Sequence, residues 1–137
     1  MPREHKYSII NNEGSSANDV VVLGKFPTNG NLGATVTSDI KLSSDAKIYY
    51  SNNENATSNL NDANNNWNEA RMEDAKTYLI QIDKMAIGEK IDAEYTISIP
   101  EKLSYNRGTE EGYTVSYTNE LSGNSNTIAS TKLNITT

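Results

Sequence analysis

The 137-residue chain has no cysteine, one histidine, one tryptophan, one phenylalanine and three prolines. Without cysteine there can be no disulfide, no thiolate nucleophile and no cysteine-based metal site. With His5 as the only imidazole, Ser-His-Asp and Cys-His catalytic arrangements lose their base, and zinc lacks its usual donors. No glycine-rich phosphate-binding motif is present. No apolar run approaches the ~18 residues that a membrane-spanning helix needs. The opening MPREHKYS lacks the apolar core of a signal peptide, so an exported parent protein would be longer than this chain. Positive charge is also short: 12 Lys and Arg stand against 18 Asp and Glu, a net charge of −6. That balance disfavours nonspecific binding to nucleic acid or to an anionic membrane.

The chain is instead rich in uncharged polar residues, with 19 Asn among them. Only 35% of residues are hydrophobic. A chain of this length buries roughly two-thirds of its unfolded surface, enough for one core. The composition suits a narrow core between short strands, with long polar loops. A single module over residues 1–137 is expected, with residues 1–5 as a tail.

Residues 90–100, KIDAEYTISIP, carry the clearest pattern. Ile91, Ala93, Tyr95, Ile97 and Ile99 alternate with Asp92, Glu94, Thr96 and Ser98, as in a half-buried antiparallel strand. Pro100 cannot donate to a ladder and should end it. Further strands are expected at residues 6–11, at Val20–Leu23 (a fully apolar run buried on both faces), weakly within 34–42, and at 47–50. Others follow at 77–83 (Tyr78, Ile80 and Ile82 in phase), 112–118 (Tyr113, Val115 and Tyr117 in phase) and 127–135. Turn formers dominate 11–19, 28–33, 101–111 and 119–126. Seven to nine short strands without an ordinary helix predict an all-β, immunoglobulin-like antiparallel sandwich, with a closed barrel as the rival.

Between residues 52 and 68, nine of seventeen residues are Asn. Asn side chains bond to nearby backbone and compete with regular structure. A long structured loop is expected, with a helical turn near 56–60 and a second within 71–75. Loops of this length in a compact domain are usually functional or mobile. The candidate ligand-binding residues are Trp67, Tyr49, Asn64 and Asn66, with Trp67 otherwise expected to lid the core. Because Tyr49 and Tyr50 are adjacent, one must face outward.

Other chemistry finds little support. Asn61, Asp62, Asn64 and Asn66 offer oxygens for calcium but a single carboxylate, without EF-hand spacing. A Lys–Asn isopeptide bond would need Lys6 or Lys25, Asn134 and a buried acid, yet Glu94 lies off the apolar phase. Carboxylate pairs exist at Glu110/Glu111 and Asp92/Glu94; the second, on the wet face of a strand, reads as solvated charge, and nothing signals the cleft a glycosidase pair needs. No catalytic residue, metal ligand or cofactor is assigned.

Several ordered motifs carry a resemblance. DVVVLGKFP (19–27) followed by TNGN is similar to the opening of a repeat module found in large Gram-positive cell-surface proteins of clostridial and bacillar type. KIYYS (47–51), NAT (55–57), Leu60-Asn-Asp, Asn66-Trp67, YLI (78–80), Gly88-Glu89 and IPEKLSYN (99–106) resemble its later segments. The ordered set spans about residues 7–135 and implies an immunoglobulin-like sandwich in a multidomain, wall- or surface-associated protein. The family often has Gly where this chain has Asn134, which argues against Asn134 as a cross-link partner. The expected function is a non-catalytic structural or adhesion module, located extracellularly at the cell surface or wall. The alternative is a carbohydrate- or protein-binding module using residues 51–68. The expected partners are neighbouring domains of the parent, and a host matrix protein or glycan. Neither nucleic acid nor direct membrane contact is expected.

Overall fold

A computed structural model describes residues 2–27, 34–99, 112–123, 125–127 and 133–136. The chain is all-β, and its strands pair antiparallel in two sheets. Among the described residues they are β1 (Pro2–Asn11), β2 (Ala17–Lys25), β3 (Thr35–Val36), β4 (Lys41–Leu42), β5 (Lys47–Ser51), β6 (Thr77–Met85), β7 (Lys90–Ser98), β8 (Gly112–Asn119), β9 (Ser125–Thr127) and β10 (Leu133–Thr136). The first sheet runs β10-β1-β7-β3, with β4 also on β7; the second runs β5-β6-β2-β8-β9.

The alternating stretch supplies β7 and the buried Ile99 that follows it; β7 is an inner strand of the first sheet, beside β1. Its odd residues are buried and its even residues face water or lie half-buried. The second sheet places β2 and β5 on either side of β6, and in the first sheet β3 and β4 both pair with β7. The first strand lies beside β7 rather than β2, and β8 takes the place next to β2.

Residues 2–5 are not a tail. Pro2 pairs with Ser98 and His5 with Tyr95, so β1 runs the full length of β7. His5 stacks on Tyr95 with ring centroids 5.2 Å apart. The segment is polar because Pro2, Arg3 and Glu4 are exposed and His5 is half-buried; burial on alternate positions begins only at Tyr7.

Strand β2 also begins earlier than its apolar run, at Ala17 within the expected 11–19 loop. Ala17, Val20 and Val22 are all buried, so one residue is inserted into the alternation. The β2–β8 register shifts between Asn18 and Val21, and Asp19 adopts φ 50°. This is a bulge, and a short polar residue tolerates the left-handed backbone there. Val21 and Leu23 are half-buried, so the run is not buried on both faces.

The 34–42 edge is broken. Thr35 and Val36 pair with Ser98 and Ile97, whereas Lys41 and Leu42 pair with Glu94 and Ala93. Between them Ser38 Oγ accepts from the Thr96 amide at 2.8 Å. The buried Ile40 amide donates to Tyr50 Oη at 2.9 Å. The break therefore places Ile40 in the core without leaving its amide unpaired.

The expected last strand divides. Residues 125–127 continue the second sheet and 133–136 close the first. The turns expected at 28–33 and 101–111, with Glu110 and Glu111, lie outside the described residues, as do the side chains of Tyr113 and Asn134.

Both sheets bury their inner faces in one core. Phe26 lies at its centre, with centroids 4.9 Å from both Tyr78 and Tyr95. Tyr78 Oη donates to Tyr7 Oη at 2.9 Å, a buried bond between the sheets. At one pole, Asn11 continues the inward phase of Tyr7 and Ile9. Its amide donates to Ser15 O, Met85 O and Ala86 O and its Oδ1 accepts from the Glu13 amide, at 2.9–3.2 Å. One side chain thereby ties the β1–β2 and β6–β7 turns. The Gly88-Glu89 pair completes the second: Gly88 has φ 76°, and Glu89 Oε1 accepts from the Ala86 amide.

Candidate functional site

The 52–76 connection joins β5 to β6 at the opposite pole. Ser51 and Thr77, at the ends of those strands, point away from the core by alternation, yet both are buried. The loop lies over them. Thr77 Oγ1 donates to Asn53 O at 3.0 Å, the Asn53 amide donates to Ser51 Oγ at 2.9 Å, and Ser51 Oγ donates to Asn65 O.

Local chemistry explains the Asn content. The amides of Asn55, Asn61 and Asn64 each donate to a side-chain oxygen two residues back, on Asn53, Asn59 and Asp62. Such Asx turns bend the chain without a helix or ladder. The one helical turn here is a 3-10 turn at Ala63–Asn65, capped by Asp62, rather than one at 56–60. Residues 71–75 form a simple turn, closed by the Ala75 amide on Met72 O.

Asn65 is the centre of the loop. It is 3% exposed. Its amide donates to Thr57 O, Thr57 Oγ1 and Asn59 O, and its Oδ1 accepts from the Thr57 amide. Burial of a polar group is tolerated when every donor and acceptor is satisfied. The loop also guards an edge: Tyr50 and Asn68 exchange backbone bonds of 2.7 and 2.9 Å. They cover part of the outer side of β5, where an open edge would invite another strand.

The four candidate residues do not converge. Tyr50 turns into the core, and Tyr49 lies half-buried on the outer face of the second sheet, opposite Leu79. Trp67 is half-buried and donates from Nε1 to Thr57 O at 2.9 Å; it braces the loop and is not packed against the core. Asn66, at φ 51°, donates to Asn52 Oδ1, and its own oxygens accept from Asn68. The Asn64 side chain is exposed.

Asp62 Oδ1 caps the short turn, so the acid proposed for calcium is engaged within the loop. Among the described residues no three His, Asp or Glu side chains gather as metal ligands. Lys6 is solvent-exposed and paired with Glu4 at 3.1 Å. The hydrogen bond and charge of Glu4, then the charge of Glu94, raise its pKa, so its amine stays protonated. That is the opposite of what amide formation requires. Lys25 is exposed and Glu94 only half-buried.

The buried acid of the described structure is Glu13, which accepts from Tyr117 Oη at 2.6 Å. It stands in a turn-rich segment with no periodicity to mark it. Asn11 was readable, since it continues a buried phase. Comparison of the chain with protein-family models, curated proteins and solved structures finds no match.

Proposed function

We propose that this protein is a non-catalytic structural or adhesion module of a bacterial cell-surface protein. It would act as a variant immunoglobulin-like sandwich, extracellular at the surface or wall, beside neighbouring domains of the same parent. The observation that carries this reading is the inward use of the 52–68 loop. Its polar side chains bind one another and the β5–β6 ends, and its only indole N–H is taken by Thr57 O. A loop built this way supports the frame and guards an edge.

The second reading, a glycan- or matrix-protein-binding loop, draws on Asn64 and Trp67, which stand three residues apart with the Asn64 side chain exposed. Fluorescence separates the two. Trp67 is the sole tryptophan, so its emission reports the loop directly. The module reading expects partial acrylamide quenching, unchanged by a panel of glycans and matrix proteins. Saturable quenching by one ligand class, abolished by Asn64→Ala, would replace it with the binding reading.

A further inference from the structure

The outer face of the first sheet holds a trough of about 490 Å³ across β1, β7 and β4. Alternation explains its form. Tyr7, Ala93 and Leu42 turn inward, so the trough floor is their backbone. The residues on either side stand up as two walls. One wall is Lys41, Glu94 and Lys6, in register across the three strands. The other is Ser43, Asp92 and Ser8.

The walls are preorganised. Ser8 Oγ donates to Asp92 Oδ1 at 2.6 Å, and the Asp92 amide donates to Ser43 Oγ at 2.8 Å. Lys6 bridges Glu4 and approaches Glu94 at 3.9 Å. Binding capacity remains. Lys41 forms no ion pair with any described residue, and the Ser43 hydroxyl proton has no described acceptor. Glu94 meets Lys6 only at that long distance and through one oxygen.

We infer that this trough is a binding site for a neutral sugar unit. Its volume lies within the range of small-ligand sites. The two ammonium groups (Lys6, Lys41) and two carboxylates (Asp92, Glu94) cancel in net charge, so the trough as a whole favours neither a simple cation nor a simple anion. A hydroxyl both donates and accepts, so a neutral polyol can satisfy carboxylate, ammonium and serine along both walls. No aromatic ring forms the floor, so recognition rests on hydrogen bonds and should be weak per unit, gaining strength along a polysaccharide. This site lies on a sheet face and does not depend on the 52–68 loop or on the module reading.

The test is an amide NMR titration of the 137-residue chain. The probes are glucose, N-acetylglucosamine and their β-linked disaccharides, with sodium acetate and methylammonium chloride as charged controls. The expected result is saturable shifts for at least one neutral sugar, confined to amides of residues 6–8, 41–43 and 92–94. Both Lys41→Ala and Glu94→Ala should weaken that binding about tenfold or more, the loss of one charge-assisted hydrogen bond, with the remaining spectrum unchanged. The inference is overturned if no neutral sugar moves these amides saturably, if only the charged controls do, or if neither substitution weakens the effect.

Discussion

Gly24 and Tyr78 face each other across β2 and β6, and the Tyr78 ring occupies the space where a side chain on Gly24 would lie. A Cβ there would overlap Cζ and Oη of the ring. The glycine is needed for this close approach, and its φ is not in the left-handed region. The ring reaches past it to Tyr7 of the other sheet. Gly24→Ala should therefore cost about 3 kcal/mol or more, an overpacking effect, measured as a lower urea midpoint. In the Tyr78→Ala background the same change should cost far less. Equal costs in both backgrounds would show that the ring is not the obstacle.

Asn11 supports a second prediction. Its side-chain amide faces three carbonyl oxygens, Ser15 O, Met85 O and Ala86 O. Asn11→Ala should destabilise by about 3 kcal/mol. Asn11→Asp, nearly the same shape, should be worse at neutral pH, because a carboxylate would meet the carbonyls. Burial among acceptors raises the new acid's folded pKa, so the lost stability should partly return as pH falls through the carboxylate range. Equilibrium unfolding of both variants at acid and neutral pH measures this. A pH-independent deficit would contradict the assigned geometry.

Removing the loop's centre should have a local effect. Asn65→Ala deletes three donated bonds and one accepted bond within residues 57–65. Hydrogen exchange should speed at the Thr57 amide, and Trp67 emission should shift to the red as its anchor at Thr57 O loosens. Protection at the buried centre of β7 should change little. Equal loss of protection in β7 would mean that the loop and sandwich open as one unit.

Tyr50 provides an alkaline test. Burial raises its pKa above the ordinary value of 10.0, more than the hydrogen bond from the Ile40 amide lowers it. The folded state therefore holds the phenol proton more tightly than the unfolded state. Its contribution is complete below the unfolded pKa and is lost as pH rises above about 10 toward the raised folded value. Unfolding followed through this range should show falling stability. Tyr50→Phe should flatten that fall while lowering stability at pH 7 by about 1–3 kcal/mol, because the Ile40 amide loses its acceptor.

The strands of this protein are written locally. Residues 90–99 and the Tyr78, Ile80, Ile82 series announce their faces by alternation alone, since a period of two needs no knowledge of the partner. The inward places of Tyr78, Tyr95 and Tyr117 were equally legible from their apolar phases. What tertiary structure decided is everything set by pairing between distant segments. The β2 bulge at Asp19 breaks the alternation that a reader follows, so Ala17 looked like loop. The polar start of β1 became strand because β7 offered it a full-length partner. Which of Tyr49 and Tyr50 turns inward depends on β5 aligning with β6.

The candidate site divides the same way. The richness of residues 52–68 in Asn pointed to local turns, and three successive Asx turns are what those side chains make. That the loop would fold onto Ser51 and Thr77, and use Trp67 to brace itself, required the ends of β5 and β6 to be adjacent. The trough on the first sheet was invisible for a related reason. Its six wall residues come from segments near 6–8, 41–43 and 92–94, and only strand register sets them in two facing rows.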